Sequence, residues 1–189
     1  MHYNFKHFHT PRMAKDSEGD SGNSSFTNKP HNKVHEFYIT GDIKDASEYI
    51  EWYNTIRHAS ESDVIKVFIN SYGGDLFAAI QMVNAIQSTK AKVEMHIEGA
   101  CLSAATVIFL QGDEFFIHPY STFMIHNYYG GAFGKGNEMF QQITFERQWS
   151  EKLFRDVYKH FLTSDEITTV LNGKDLWMSP EEVENRLKK

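Results

Sequence analysis

The run Val64-Ile65-Lys66-Val67-Phe68-Ile69 constrains this chain more than any other segment. It is almost continuously β-branched or aromatic, the pattern of a strand buried on both faces. The residues after it, Asn70-Ser71-Tyr72-Gly73-Gly74, predict a tight turn, and Leu76, Ala79, Ile80, Val83 and Ile86 then recur at helical spacing. Val93, Met95 and Ile97 alternate as a second strand ending at Gly99. Two strands joined through a helix run parallel, because the helix carries the chain back to the start of the sheet. The alternation extends in both directions. Phe37-Tyr38-Ile39 predicts a short strand ending at Gly41, and Tyr49, Ile50, Tyr53 and Ile56 predict a helix over residues 45–59. The stretch from Ser103 to Leu110 is almost wholly apolar and predicts a buried helix, followed by short strands at 115–117 and 122–125.

Beyond a glycine cluster (Gly130, Gly131, Gly134, Gly136), a long helix is predicted from an N-cap at Asn137 to about Leu162. Its expected face is Phe140, Ile143, Phe154, Val157 and Phe161. A short helix over about 165–171 should stop at Asn172-Gly173, and Leu176-Trp177-Met178 predicts a brief strand. Ser179-Pro180-Glu181-Glu182 is a helix start, with a cap, proline in the first turn and an acid three positions after the cap. Strands alternating with helices in this way predict an α/β fold on a parallel sheet.

Composition separates the beginning of the chain from the rest. Residues 1–33 hold five basic and three acidic side chains and a Ser-, Gly- and Asn-rich stretch. They read as a polar arm that buries too little apolar surface to offset its ordering entropy. Four histidines lie there (His2, His7, His9, His31), at no spacing that closes a metal site. The remainder, 34–189, is expected to be one folded domain. The net charge of −6 argues against nucleic acid as a partner, and no apolar stretch reaches the length of a membrane span. A single cysteine excludes an internal disulfide framework and fits a reducing, cytoplasmic location, as does the lack of an apolar leader.

Candidate chemistry gathers at the predicted strand ends, where open α/β sheets place their sites. Ser103 opens the apolar helix. It can serve only as an N-cap, or it can be a nucleophile beside backbone N–H groups that stabilise an oxyanion. A serine hydroxyl needs a base, and His126 ends the strand Thr122–Ile125 just before the glycine-rich segment. His96 and His118 are rivals with more structural settings. Asp175, before Leu176, is either turn chemistry or the carboxylate that orients the histidine; Asp113, in a Gly-Asp turn, is its rival. Gly73-Gly74 satisfies a tight turn and also leaves a backbone N–H unobstructed. Cys101 reads as a packing residue beneath the serine. No phosphate-binding or dinucleotide glycine fingerprint is present, and no cofactor or metal site is expected.

Four segments in order resemble the ClpP-type serine peptidases, the proteolytic subunits of Clp protease. They are Asn70-Ser71-Tyr72-Gly73-Gly74, Glu98-Gly99-Ala100-Cys101-Leu102-Ser103-Ala104-Ala105, Phe123-Met124-Ile125-His126-Asn127 and Asp175-Leu176-Trp177-Met178-Ser179. Phe37–Asp42 is similar to that family's first strand. The resemblance covers roughly residues 34–185 and implies a ClpP/crotonase-like fold of βαβ units with a long handle helix. It implies a triad of Ser103, His126 and Asp175 and an oxyanion hole from the N–H groups of Gly74 and Ala104. Gly73, Asp75 and Leu76 would flank an extended polypeptide substrate. It further implies a homo-oligomer, a heptameric ring that stacks into a tetradecamer, fed by a separate AAA+ unfoldase ATPase, with no nucleic acid or membrane partner. Tyr72 stands where the family usually has proline, Ala104 where it has methionine, and Asn127-Tyr128 where it has Gln-Pro. Two other readings belong beside this one: an idle or regulated ring subunit of the same family, and an acyl-CoA hydratase or isomerase on the related crotonase scaffold.

Overall fold

The computed structural model describes residues 33–188. The expected arm, 1–33, lies outside the described residues apart from Lys33. The elements follow the predicted alternation. β1 (Val34–Ile43) leads through a 3₁₀ turn to α1 (Ile50–His58), then β2 (Val64–Gly74), α2 (Leu76–Ser88), β3 (Lys92–Leu102) and α3 (Ala104–Phe109). The second half holds β4 (Glu114–Ile117), β5 (Thr122–Ile125), α4 (Gly136–Tyr158), α5 (Ser164–Leu171), β6 (Leu176–Met178) and α6 (Pro180–Leu187). The strands form one sheet in the order β1-β2-β3-β5-β6, with β4 also paired to β3. All pairs are parallel except β5 with β6, which is antiparallel.

Three strands or turns differ from expectation, each because tertiary pairing extends an element past its local stop signal. The expected turn at 70–74 is strand: β1 continues past Gly41 through a bulge and pairs Ile43 with Gly74. β3 does not stop at Gly99, because Ala100, Cys101 and Leu102 pair with Thr122, Phe123 and Met124 of β5. Where the β2–β3 register shifts, the Asn70 side chain takes a ladder position, its Oδ1 accepting from the Ala100 N–H at 3.0 Å. Gly99 makes room for it, since a Cβ there would lie 2.5 Å from that oxygen.

β2 is also not buried on both faces. Ile65, Val67 and Ile69 point into the core with Val93, Met95 and Ile97, while Lys66 and Phe68 are only partly covered. The core face lies under α1, α2 and α3, where Tyr53, Ile56, Ala79, Met82, Ile86 and Ile108 complete the packing. On the other face the registered residues Tyr38, Phe68, His96 and Phe116 stack ring on ring, at centroid separations of 4.9, 4.6 and 4.4 Å. Rings in lateral register bury one another and so tolerate partial solvent contact.

α3 is wholly buried, as its composition predicts. α4 starts one residue before the expected cap and ends four residues earlier than expected, at Tyr158. Its 23 residues span about 35 Å, and only Ser150, Phe154, Val157 and Tyr158 are buried. Phe140, Ile143 and Phe145 are exposed, so the expected single apolar face divides into a packed half and an open half.

Candidate active site

The parallel strands deliver their carboxyl ends to one edge of the sheet, and the site forms there. β3 ends at Leu102 and α3 begins at Ala104, leaving Ser103 alone at the corner. Its backbone is at φ 56°, the one positive φ of a non-glycine residue among the described residues. Such a conformation costs of order 1–3 kcal/mol and persists only where the surroundings over-determine it. Two backbone contacts do so: the Ser103 N–H donates to Met124 O at 2.8 Å, and Ser103 O accepts from the Thr106 N–H at 2.9 Å.

Ser103 does not use its side chain as a cap. Its Oγ lies 2.6 Å from Nε2 of His126, the residue directly after β5. Parallel pairing of β3 with β5 makes this meeting possible, because Leu102 lies opposite Met124, with Ser103 one residue and His126 two residues beyond that last pair. For the hydroxyl to donate to Nε2, the neutral imidazole must carry its proton on Nδ1. That is the arrangement of a nucleophile facing its base.

Asp175 is placed differently. Phe123, Met124 and Ile125 pair with Met178, Trp177 and Leu176, so the next step along this register brings His126 opposite Asp175. The Asp175 carboxylate is exposed and takes no hydrogen bond among the described residues. Its neighbourhood is tied to the histidine strand through Asn127, whose Nδ2 donates to Leu171 O at 3.1 Å at the end of α5.

Gly73 packs against the serine corner. A Cβ at that position would lie 2.7 Å from Ser103 Cβ and 3.1 Å from the Ala104 nitrogen, and its φ is 98°. Gly74 instead meets the first strand, where a Cβ would come 2.3 Å from Ile43 O. Ala104 N–H is in the first turn of α3, where the helix offers no acceptor. Asp75 caps α2, its Oδ1 accepting from the Ala78 N–H at 2.7 Å, and Leu76 follows partly buried.

The rivals fall away from this corner. His96 is sandwiched between Phe68 and Phe116, and burial is the main cause that lowers its pKa. His118 sits in the turn after β4, accepting from Ser121. Asp113 binds the Val93 N–H at 2.9 Å. Cys101 is fully buried, which drives its thiol pKa well up and leaves it an unreactive packing residue. Two contributors are absent from the sequence reading. Thr106 and Tyr158 are buried polar residues whose hydroxyls meet at 2.7 Å beneath Ser103. A threonine inside the apolar 103–110 stretch was the available signal, but its partner lies 52 positions away.

A serine on a strained strand-to-helix corner, with a histidine in hydrogen-bond contact, is equipped for acyl transfer. The profile of the family described as Clp protease matches residues 33–185. The chain belongs to the Clp protease family. Among curated relatives, it is 26% identical over 155 residues to the ATP-dependent Clp protease proteolytic subunit of Leuconostoc citreum, covering 76% of this chain and 75% of that protein. It is also 26% identical over 120 residues to the subunit of that name from Bacteroides fragilis, covering 62% of this chain and 58% of that protein. The corresponding protein of Bacteroides thetaiotaomicron matches over the same length at the same identity. The α/β sheet and its helices accord with the Clp protease fold, and membership makes this chain a Clp-type serine peptidase. Clp proteases form oligomeric rings and work with Clp ATPases. Among the described residues no helix is long and apolar enough to cross a membrane.

Proposed function

We propose that Ser103 is the nucleophile of this peptidase, with His126 as its base and Asp175 as the carboxylate that orients the histidine. The 2.6 Å approach of Ser103 Oγ to His126 Nε2 carries the reading. In the forward step the Ser103 oxygen bonds to the peptide carbonyl carbon and its proton passes to His126. The carbonyl π electrons move onto oxygen, which rests against the N–H groups of Ala104 and Gly74. His126 then protonates the departing amine as the C–N bond breaks, and water repeats the sequence on the acyl-enzyme. Gly73, Asp75 and Leu76 border the path of an extended chain, which pairs as an added strand through main-chain hydrogen bonds. Unfolded polypeptide is therefore the substrate class.

The same proposal includes a heptameric ring, stacked through the open half of α4 into a tetradecamer, and an AAA+ unfoldase ATPase that delivers substrate. The exposed Phe140, Ile143 and Phe145 support the stacking contact. Residence in the cytoplasm belongs to this proposal and rests on the single cysteine. A regulated form of the same reading draws on Asp175, whose exposed carboxylate is one register step from His126. The triad then closes on assembly.

Fluorophosphonate labelling tests the nucleophile. The wild-type chain should be labelled at Ser103 and the Ser103→Ala chain should not. Full labelling of the variant removes Ser103 from the mechanism. Mass photometry of the labelled protein tests the ring, which should appear at seven or fourteen subunits.

A further inference from the structure

Thr106 is fully buried, yet its hydroxyl lies 2.6 Å from Ser103 O and 2.7 Å from the Tyr158 hydroxyl. The donor order can be deduced. A carbonyl oxygen only accepts, so Thr106 must donate to Ser103, and the Thr106 oxygen is left to accept from Tyr158. Tyr158, at the last position of α4, is 2% exposed, and burial is the main cause that pushes its phenol pKa up, which keeps the donor protonated. Ser103 O thus accepts two hydrogen bonds from Thr106, one from the backbone N–H at 2.9 Å and one from the hydroxyl.

This carbonyl belongs to the peptide joining Ser103 to Ala104. In a trans peptide the C=O of one residue and the N–H of the next point in opposite directions within one plane. Whatever holds Ser103 O downward into the core holds the Ala104 N–H upward into the site. The plane needs such an anchor, because Ser103 adopts φ 56° and ψ −128°. Rotation of this one peptide would move ψ of Ser103 and φ of Ala104 together and turn the N–H away from a bound oxyanion. A threonine back-bond alone is common inside helices. Here it is braced from another helix, in a site sealed from water.

We infer that Thr106 and Tyr158 are positioning residues that lock the Ser103–Ala104 peptide in the orientation of an oxyanion donor. The inference rests on the proposed roles of Ser103 and Ala104. The hydroxyl relay also ties the end of α4 to the nucleophile corner, so the serine and the long helix are mechanically joined.

The test uses the full chain with a short fluorogenic peptide, a peptide aldehyde and the matching peptide alcohol. The aldehyde carbon takes the Ser103 oxygen and its own oxygen becomes the anion in the hole, with the serine proton held by His126. The alcohol occupies the same cleft without forming that bond. Thr106→Val removes the hydroxyl at nearly constant volume. It should lower kcat about 10-fold with KM unchanged, below the 10²–10³ loss of an entire hole donor, because the Thr106 backbone N–H remains. Aldehyde affinity should fall by a similar factor while alcohol affinity holds. Thr106→Ser should restore both. Tyr158→Phe should cost about 3-fold and add nothing in the Thr106→Val background, as expected for members of one chain of hydrogen bonds. Unchanged kcat and aldehyde affinity in Tyr158→Phe and Thr106→Val, with Ser103→Ala inactive, overturns the relay and leaves the nucleophile in place. If Thr106→Val does not fold, Tyr158→Phe and Thr106→Ser decide the matter by the same readouts. An active Ser103→Ala chain overturns the nucleophile assignment, and the relay with it.

Discussion

Ser103 leaves an eleven-residue strand and enters a helix in which every side chain is buried, whereas Asp175 stands exposed before a strand of three residues. The proposed triad draws on both ends, but they are held by different physics. The serine corner is fixed by β3–β5 pairing, by Gly73 pressed against it and by three hydrogen bonds on its own backbone. That density is what lets a residue persist at φ 56°. The aspartate end has solvent on one side and a short ladder on the other. A catalytic group in the first setting is ready as folded, while one in the second can wait for a partner to complete it. Under the proposed roles, the nucleophile and base are held by the subunit's own fold, and the carboxylate is the element that assembly can control.

The first way to break this comparison is to remove the nucleophile. Ser103→Ala should lower peptide turnover by about 10⁵-fold or more, the scale of losing a catalytic serine, with the melting temperature raised or unchanged. A modest loss would mean that the well-held end is not the reactive one. Asp175→Asn should come next, lowering kcat by roughly 10²–10⁴-fold because the histidine loses its orienting anion. As an exposed substitution it should shift stability by no more than about 0.5 kcal/mol, read by thermal unfolding. Activity lost without stability is the signature expected of the loosely held end. Equal turnover by Asp175→Asn and wild type would reduce Asp175 to a turn residue.

Gly73→Ala probes the crowded end. The new Cβ must displace Ser103 Cβ at 2.7 Å and adopt φ 98°, so both labelling and melting temperature should fall, with a stability loss of about 2–4 kcal/mol. Retained stability would show that the corner is looser than its contacts imply. The smallest effect lies away from the site, where Glu166 meets Arg186 at 2.7 Å. Hydrogen bonds from Arg186 are the main cause that lowers the Glu166 pKa from 4.5 to about 2. A carboxylate depressed in the folded state stabilises the fold above pH 4.5, and that contribution is lost as pH falls toward 2. Glu166→Gln should therefore flatten the acid limb of the stability curve, by about 1 kcal/mol for a part-buried pair that solvent still screens, measured by denaturant titration at pH 3 and pH 7.

The order of strands and helices was legible because periodicity is a local property. Val64–Ile69, the alternation at Val93–Ile97 and the Ser179-Pro180 start each carry their own signal. Ends of elements were less legible. Gly41, Gly99 and the 70–74 segment all look like stops, and all lie within longer strands because a neighbouring strand supplies the pairing. The expected face of α4 failed for a related reason. Phe140 and Phe154 share helical spacing, but among the described residues only the second half of the helix is packed into the core. Ser103, His126 and the glycines stand out as candidates from residue type at strand ends, and the structure brings Ser103 and His126 into contact. Thr106 and Tyr158 do not stand out, since no local pattern joins a threonine to a tyrosine across two helices.

The sequence by itself determined the alternation that makes the sheet parallel, the small and apolar surroundings of Ser103, and the residues capable of acid-base and nucleophilic chemistry. Those follow from side-chain chemistry and spacing along the chain. Only the tertiary structure decided that Ser103 would take a left-handed backbone, that its hydroxyl would face His126 instead of capping α3, and that Asp175 would stand open to solvent. Each of these depends on groups distant in sequence competing for the same hydrogen bond or the same volume. That competition is resolved only when β3, β5 and α4 are packed together.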